Sequence, residues 1–186
     1  MLDIIGITGR AGSGKDTVGQ FLVERYGFER IAFADPLKRI AREIVWDGGK
    51  EDAGNCAHCG MLQGRTLLQV LGTEGLRQHL GKNVWIDALL RHIVTTRALT
   101  GQSRWVITDV RYTNEADMIQ AHDGHVWRVV RPELRSNDAH DSETALADIM
   151  ADVTFTNDGT VDALHRLVEE YAEQAGWHEG AILLAR

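Results

Sequence analysis

Ile4-Ile5-Gly6-Ile7-Thr8-Gly9-Arg10-Ala11-Gly12-Ser13-Gly14-Lys15-Asp16-Thr17 decides how the chain is read. Ile4 to Thr8 predict a short buried strand. Val18 to Tyr26 predict a helix, with Val18, Phe21, Leu22 and Arg25 at helical spacing. Strand, Gly-rich turn, Lys and helix together are the context of a P-loop. Gly9, Gly12 and Gly14 let the backbone turn tightly and aim successive N–H groups inward, and the helix adds its positive end. Such a loop holds a di- or triphosphate, with Gly12, Ser13, Gly14, Lys15, Asp16 and Thr17 as candidate ligands and Lys15 beside the β- and γ-phosphates. The pattern departs from GxxxxGK[ST] at one place, because Asp16 follows the Lys and the hydroxyl comes one residue later. The Mg²⁺ ligand therefore stays open: Asp16 directly or through water, or Thr17. A Gly-rich turn with a chance Lys is the bland alternative, and the flanking strand and helix argue against it.

Composition sets the frame around this loop. With 186 residues, the chain is long enough for one domain and a substantial core. Charged residues make up 25% and hydrophobic ones 44%, which predicts a globular protein. A net charge of −7 without a basic run is a poor basis for nonspecific nucleic-acid binding. The first apolar run flows into the P-loop and is neither a signal peptide nor a membrane span. These features predict a soluble, cytoplasmic protein with small-molecule partners and neither nucleic acid nor membrane; a homodimer stays open.

Residues 27 to 34 predict a second strand. Asp35-Pro36 then opens a helix through Leu37, Ile40, Ala41 and Ile44. Strand, helix, strand, helix in this order predicts a parallel sheet covered by helices. Spacing alone leaves Lys38 and Arg39 either facing a phosphate or solvated. Residues 47 to 64 are Gly-rich and aperiodic, so they read as an insert. They hold Cys56, His58 and Cys59, half of a zinc site at most. Residues 65 to 99 read as helical, with Trp85 in the longer segment. Arg77, after a Gly-rich break, suits a surface or a phosphate clamp equally.

Trp105 to Thr108 predict a strand with Asp109 at its carboxyl end, where ligands bind in open α/β sheets. A carboxylate there can orient Mg²⁺, and Arg111 can grip a phosphate with two N–H groups. The alternative is capping of the next helix by Asp109 or Thr113. Residues 125 to 131 alternate as an edge-like or partly exposed strand ending at Arg131. Residues 133 to 143 look polar and mobile, and include Arg135. Val153 to Thr156 predict a fifth strand, and Asn157-Asp158-Gly159 turns the chain into a last amphipathic helix. No NKxD and no DxxG follow the P-loop, which argues against a GTPase switch. What remains is a small kinase.

The stretches Gly9 to Thr17, Phe33-Ala34-Asp35-Pro36-Leu37-Lys38, Leu71-Gly72-Thr73-Glu74-Gly75-Leu76-Arg77, Thr108-Asp109-Val110-Arg111-Tyr112-Thr113-Asn114-Glu115 and His140-Asp141-Ser142-Glu143 resemble the deoxynucleoside monophosphate kinases best known from bacteriophages. In that family an Asp after the P-loop Lys is usual. The resemblance implies an α/β P-loop fold of nucleoside-monophosphate-kinase type. Its parts would be a five-stranded parallel sheet flanked by helices, monophosphate-binding helices and insert over about 35–99, and a mobile lid over about 131–148. It implies transfer of the ATP γ-phosphate to a deoxynucleoside 5′-monophosphate with Mg²⁺ at Asp16, Thr17 or Asp109. Lys15, Arg111, Arg131 and Arg135 would be catalytic, the last two as lid arginines. Phe33, Asp35, Lys38, Arg77, Trp85, Asp109, Arg111 and Glu115 would lie on the acceptor side. A dephospho-coenzyme A kinase-like enzyme and a non-catalytic ATP-binding module are the alternatives.

Overall fold

The computed structural model describes residues 2–44, 64–133 and 145–177. The Cys-bearing insert with Cys56, His58 and Cys59, the Arg135 and His140–Glu143 positions and most of the expected lid lie outside them. The described residues form two compact units, Met1–Ala32 with Val94–Arg186, and Phe33–Ile93.

The first unit is built on one sheet. Strands β1 (Asp3–Thr8), β2 (Glu29–Ile31), β3 (Arg104–Val110), β4 (His125–Val130) and β5 (Val153–Thr156) are all parallel, in the order β2-β3-β1-β4-β5. The P-loop strand is thus central, with β3 on one side and β4 on the other. The chain leaves β1 toward β2 on one side and leaves β3 toward β4 on the other, which opens a crevice between the carboxyl ends of β1 and β3, where ligands bind in such sheets.

One face of the sheet packs on α1 (Lys15–Tyr26) and α7 (Val161–Gln174), through Ile5, Ile7, Val106, Trp127, Val129, Val18, Leu22, Leu164 and Val168. Gly19 brings α1 close to the sheet: a Cβ there would lie 2.5 Å from the Thr108 methyl. The other face packs on α6 (Thr113–Ala121), where Gly6 leaves room for Ile119 and Val110. Trp127 anchors an aromatic cluster with Phe155, Tyr171 and Trp177. Trp177 stacks on it at 5.6 Å, so the start of the C-terminal tail closes the core beside α7.

Three strand expectations are corrected. β2 spans only Glu29–Ile31 rather than 27 to 34, and Ala34 already belongs to the next helix. β4 is not an edge strand, since it lies between β1 and β5 with Val126, Trp127 and Val129 buried. Its polar Arg128 is accommodated because the guanidinium donates to Leu146 O (3.1 Å) and Ile149 O (2.5 Å), around a short 3₁₀ turn at Ala145–Asp148. β3 runs on to Val110, so Asp109 lies within the strand and Arg111 stands at its end.

The second unit is helical: α2 (Ala34–Ile44), α3 (Gly64–Gln69), a π-helix (Val70–Arg77), a single turn α4 (Gln78–Leu80), and α5 (Val84–Thr100), whose residues up to Ile93 belong here. Ala41 and Leu67 form a small core with Leu68 and Leu71 against them. Eight residues of π-helix are unusual, and such wide turns favour functional sites. Gly72 within it is buried against Leu37, where a Cβ would lie 2.5 Å from the Leu37 methyl. The indole Nε1 of Trp85 donates to the Gly72 carbonyl at 3.1 Å.

Candidate active site

The phosphate cup is the turn from β1 into α1. Gly9 (φ 142°), Gly12 (φ 77°) and Gly14 (φ 108°) all take left-handed backbone conformations, which glycine adopts at little cost. At Gly9 the close approach is also steric, because a Cβ would meet the Val129 carbonyl oxygen and lie 2.9 Å from Ser13 Oγ. Ser13 N donates back to Arg10 O at 3.1 Å, closing the loop on itself. Gly14 occupies the N-cap of α1 with no side chain capping it, so the first-turn N–H groups keep their polarity for a ligand. Lys15 Nζ donates to Arg10 O at 2.6 Å, which folds the ammonium over the loop. Gly12 and Asp16 are exposed, and Thr17 is half-buried one turn into the helix.

Three hydroxyls are buried in this part of the molecule: Thr8 at the end of β1, Ser13 in the loop and Thr108 in β3, whose methyl faces Gly19 of α1. Each oxygen is buried and has no hydrogen-bond partner among the described residues. Ser13 is 1% exposed. Buried polar groups are ordinarily paired, so the Ser13 hydroxyl within the phosphate cup suits water or a ligand oxygen.

Strand register brings the remaining residues to the loop. Thr8 pairs with Val110, so Arg111, half-buried, follows beside the start of the P-loop. On the other flank Thr8 pairs with Arg128, and the exposed Arg131 follows β4. Asp109 is half-buried. Glu115, by contrast, is 2% exposed. Its Oε2 accepts from Arg111 N (2.8 Å) and Tyr112 N (3.2 Å). The alternative of a helix cap at Asp109 or Thr113 does not hold: Tyr112 is the N-cap of α6, and Glu115 reaches back to it. Glu115, which the resemblance sets on the acceptor side, fixes the main chain that carries Arg111.

In the second unit, Asp35 and Lys38 form an ion pair at 3.6 Å on the first turns of α2, and both are half-buried. Arg77 ends the π-helix and is half-buried. Phe33 is buried. Trp85, also set against the substrate, is 7% exposed with its indole committed to Gly72 O.

Sequence reasoning missed Asn157. Its Nδ2 donates to Ser13 O at 2.8 Å, which ties the end of β5 to the P-loop. The signal was an Asn directly after the last strand, read only as a turn.

No group of three or more His, Cys, Asp or Glu among the described residues is arranged to hold a metal. Mg²⁺ in nucleotide sites takes one or two protein oxygens besides phosphate and water, and the Thr17 hydroxyl and the Asp16 and Asp109 carboxylates are donors of that hard kind. No helix among the described residues is long and apolar enough to cross a membrane.

The central P-loop strand, the glycine cup and the parallel sheet define the class as a small P-loop kinase fold. The chain is similar in fold to a sugar kinase from Janibacter sp. (TM-score 0.51, 13% identity, covering 95% of each chain). It is also similar to a dephospho-CoA kinase from Campylobacter jejuni (TM-score 0.50, 14% identity, 94% and 96%). The sequence profile of the deoxynucleotide monophosphate kinase family matches residues 60–168, and the chain belongs to that family. A protein of Acanthamoeba polyphaga mimivirus, provisionally named a deoxynucleotide monophosphate kinase, is 29% identical over 187 residues, covering 92% of this chain and 97% of its own. The deoxynucleotide monophosphate kinase of Enterobacteria phage T4 is 30% identical over 100 residues, which span 54% of this chain and 41% of the phage protein. The matched family segment begins after the P-loop, so loop geometry and family membership are independent observations.

Proposed function

We propose that the protein transfers the γ-phosphate of ATP to a deoxynucleoside 5′-monophosphate, giving the diphosphate and ADP. The observation that carries this reading is the ready-made phosphate cup of Gly9 to Thr17 in a member of the deoxynucleotide monophosphate kinase family. A phosphate oxygen of the acceptor attacks the γ-phosphorus while its bond to the bridging oxygen of ADP breaks. Phosphoryl transfer asks the protein for alignment and charge stabilisation more than covalent help.

Each candidate residue then has a task. The loop N–H groups hold the donor phosphates. Lys15 leaves Arg10 O and places its ammonium on the transferring group. Arg111 grips the acceptor phosphate with its fork of N–H donors. Arg131 and Arg135 neutralise charge on the transferring group. Asp35, Lys38 and Arg77 of the second unit bind the acceptor, with Phe33 and Trp85 on the same side of the reaction. Bound Mg²⁺ supplies a Lewis acid that neutralises charge on the donor phosphates. Thr17 or Asp16, with Asp109, would hold it.

An ADP-release assay with a panel of acceptors tests the proposal. Release that depends on a deoxynucleoside monophosphate is expected. Release driven instead by dephospho-coenzyme A or a sugar, or by no acceptor at all, would overturn it.

A further inference from the structure

The residue after β5 holds the phosphate loop from outside. Asn157 is itself fixed to the sheet, since its main-chain N donates to Val130 O at 2.7 Å and continues the β4–β5 pairing past Thr156. From that rigid base its amide reaches Ser13 O at 2.8 Å. The amide also packs on Gly14, where a Cβ would lie 2.7 Å from Nδ2 and 3.2 Å from a Leu164 methyl. The two residues are 144 positions apart in sequence, so the contact depends on the finished sheet.

The consequence follows from peptide geometry. The Ser13–Gly14 peptide is trans and planar, so its C=O and N–H point in opposite directions. Holding the carbonyl toward Asn157 turns the Gly14 N–H to the other side of the loop. Ser13 N is already committed to Arg10 O, whereas Gly14 (φ 108°) stands at the N-cap of α1, next to the first-turn N–H groups. Consecutive N–H groups turned to one side form a concave anion site.

We propose that Asn157 is a positioning residue for the donor phosphates: it fixes the Ser13–Gly14 peptide so that the Gly14 N–H faces them. The inference rests on the reading of the loop as the donor site. The role requires a donor on residue 157, not merely a side chain of that size. Asn157→Asp keeps the shape but sets a carboxylate against a carbonyl, and Asn157→Ala removes the group.

Calorimetric titration with tripolyphosphate and with a non-hydrolysable ATP analogue, beside kinetics in the monophosphate, makes the test. Both variants should raise Kd for tripolyphosphate by about 10-fold, the scale of one lost hydrogen bond, and lower kcat. The monophosphate KM should stay within about 2-fold of wild type, as expected when only donor-side binding is lost. Weakening in Asn157→Asp alone would mean charge repulsion and overturn the proposal. So would equal weakening toward both substrates alongside a large fall in Tm. If neither variant folds, the Gly14 amide resonance of the wild type decides: it should shift on adding tripolyphosphate, and an unmoved resonance in a protein that binds would refute the assignment. A wild type that binds neither probe would refute the donor-site reading itself.

Discussion

Replacing Glu115 should loosen the strand end that carries Arg111. Glu115 is buried and its Oε2 takes two main-chain N–H groups, Arg111 at 2.8 Å and Tyr112 at 3.2 Å. Hydrogen bonds to an ionised acceptor contribute about 1.5–3 kcal/mol each. The longer of the two belongs at the low end, so Glu115→Ala should cost about 3 kcal/mol in total. For a domain of this size a loss of ~1 kcal/mol lowers Tm by ~2–4 °C, so the fall should be about 6–12 °C. Glu115→Gln retains a neutral acceptor and the shape, and should lose only ~1 kcal/mol, or ~2–4 °C. In function, both variants should raise KM for the monophosphate more than for ATP, because the main chain beneath Arg111, proposed to grip the acceptor phosphate, has lost its anchor. Thermal unfolding followed by circular dichroism, together with two-substrate kinetics, measures both effects. The reasoning is refuted if Glu115→Ala melts like the wild type while monophosphate binding is abolished. Glu115 would then face the substrate.

Other substitutions separate the two sides of the reaction. Lys15→Met should keep Tm and lower kcat about 100-fold or more, the scale of losing a dedicated electrostatic donor; near-normal turnover would contradict the P-loop assignment. Arg111→Lys should raise the monophosphate KM with little change in ATP affinity, because an ammonium cannot reproduce the guanidinium fork; the reverse pattern would place Arg111 on the donor side. Trp85→Phe removes the indole N–H from the buried Gly72 carbonyl and should destabilise by about 1–3 kcal/mol, visible as earlier hydrogen exchange in the π-helix. Unchanged exchange would deny Trp85 that supporting role.

What the sequence disclosed and what it hid divide along locality. The P-loop was legible because glycines with left-handed backbone, a Lys and a helix start are fixed by neighbouring residues. The start of α2 was legible to within a residue or two for the same reason, since Asp35 and Pro36 lie in the first turn of a helix that begins at Ala34, and the parallel sheet followed from the alternation of strands and helices. The Glu115 cap was also local, an acidic residue three positions after the N-cap, but Tyr112 is not a usual capping residue and masked the pattern. β4 looked like an edge because Arg128 broke its apolar run; only the distant carbonyls of Leu146 and Ile149 explain how a central strand tolerates it. Asn157 was hidden most deeply. Its partner is Ser13, and nothing around residue 157 announces a contact across the whole length of the fold.

The central claim is transfer of a phosphoryl group through this loop to a nucleotide acceptor. The most direct measurement follows γ-labelled ATP into product, with wild type and Lys15→Met side by side and each deoxynucleoside monophosphate in turn. Label is expected in the β-phosphate of a deoxynucleoside diphosphate, formed by the wild type and nearly lost in the variant. Label appearing only as free phosphate, or a diphosphate formed equally well without Lys15, would contradict it.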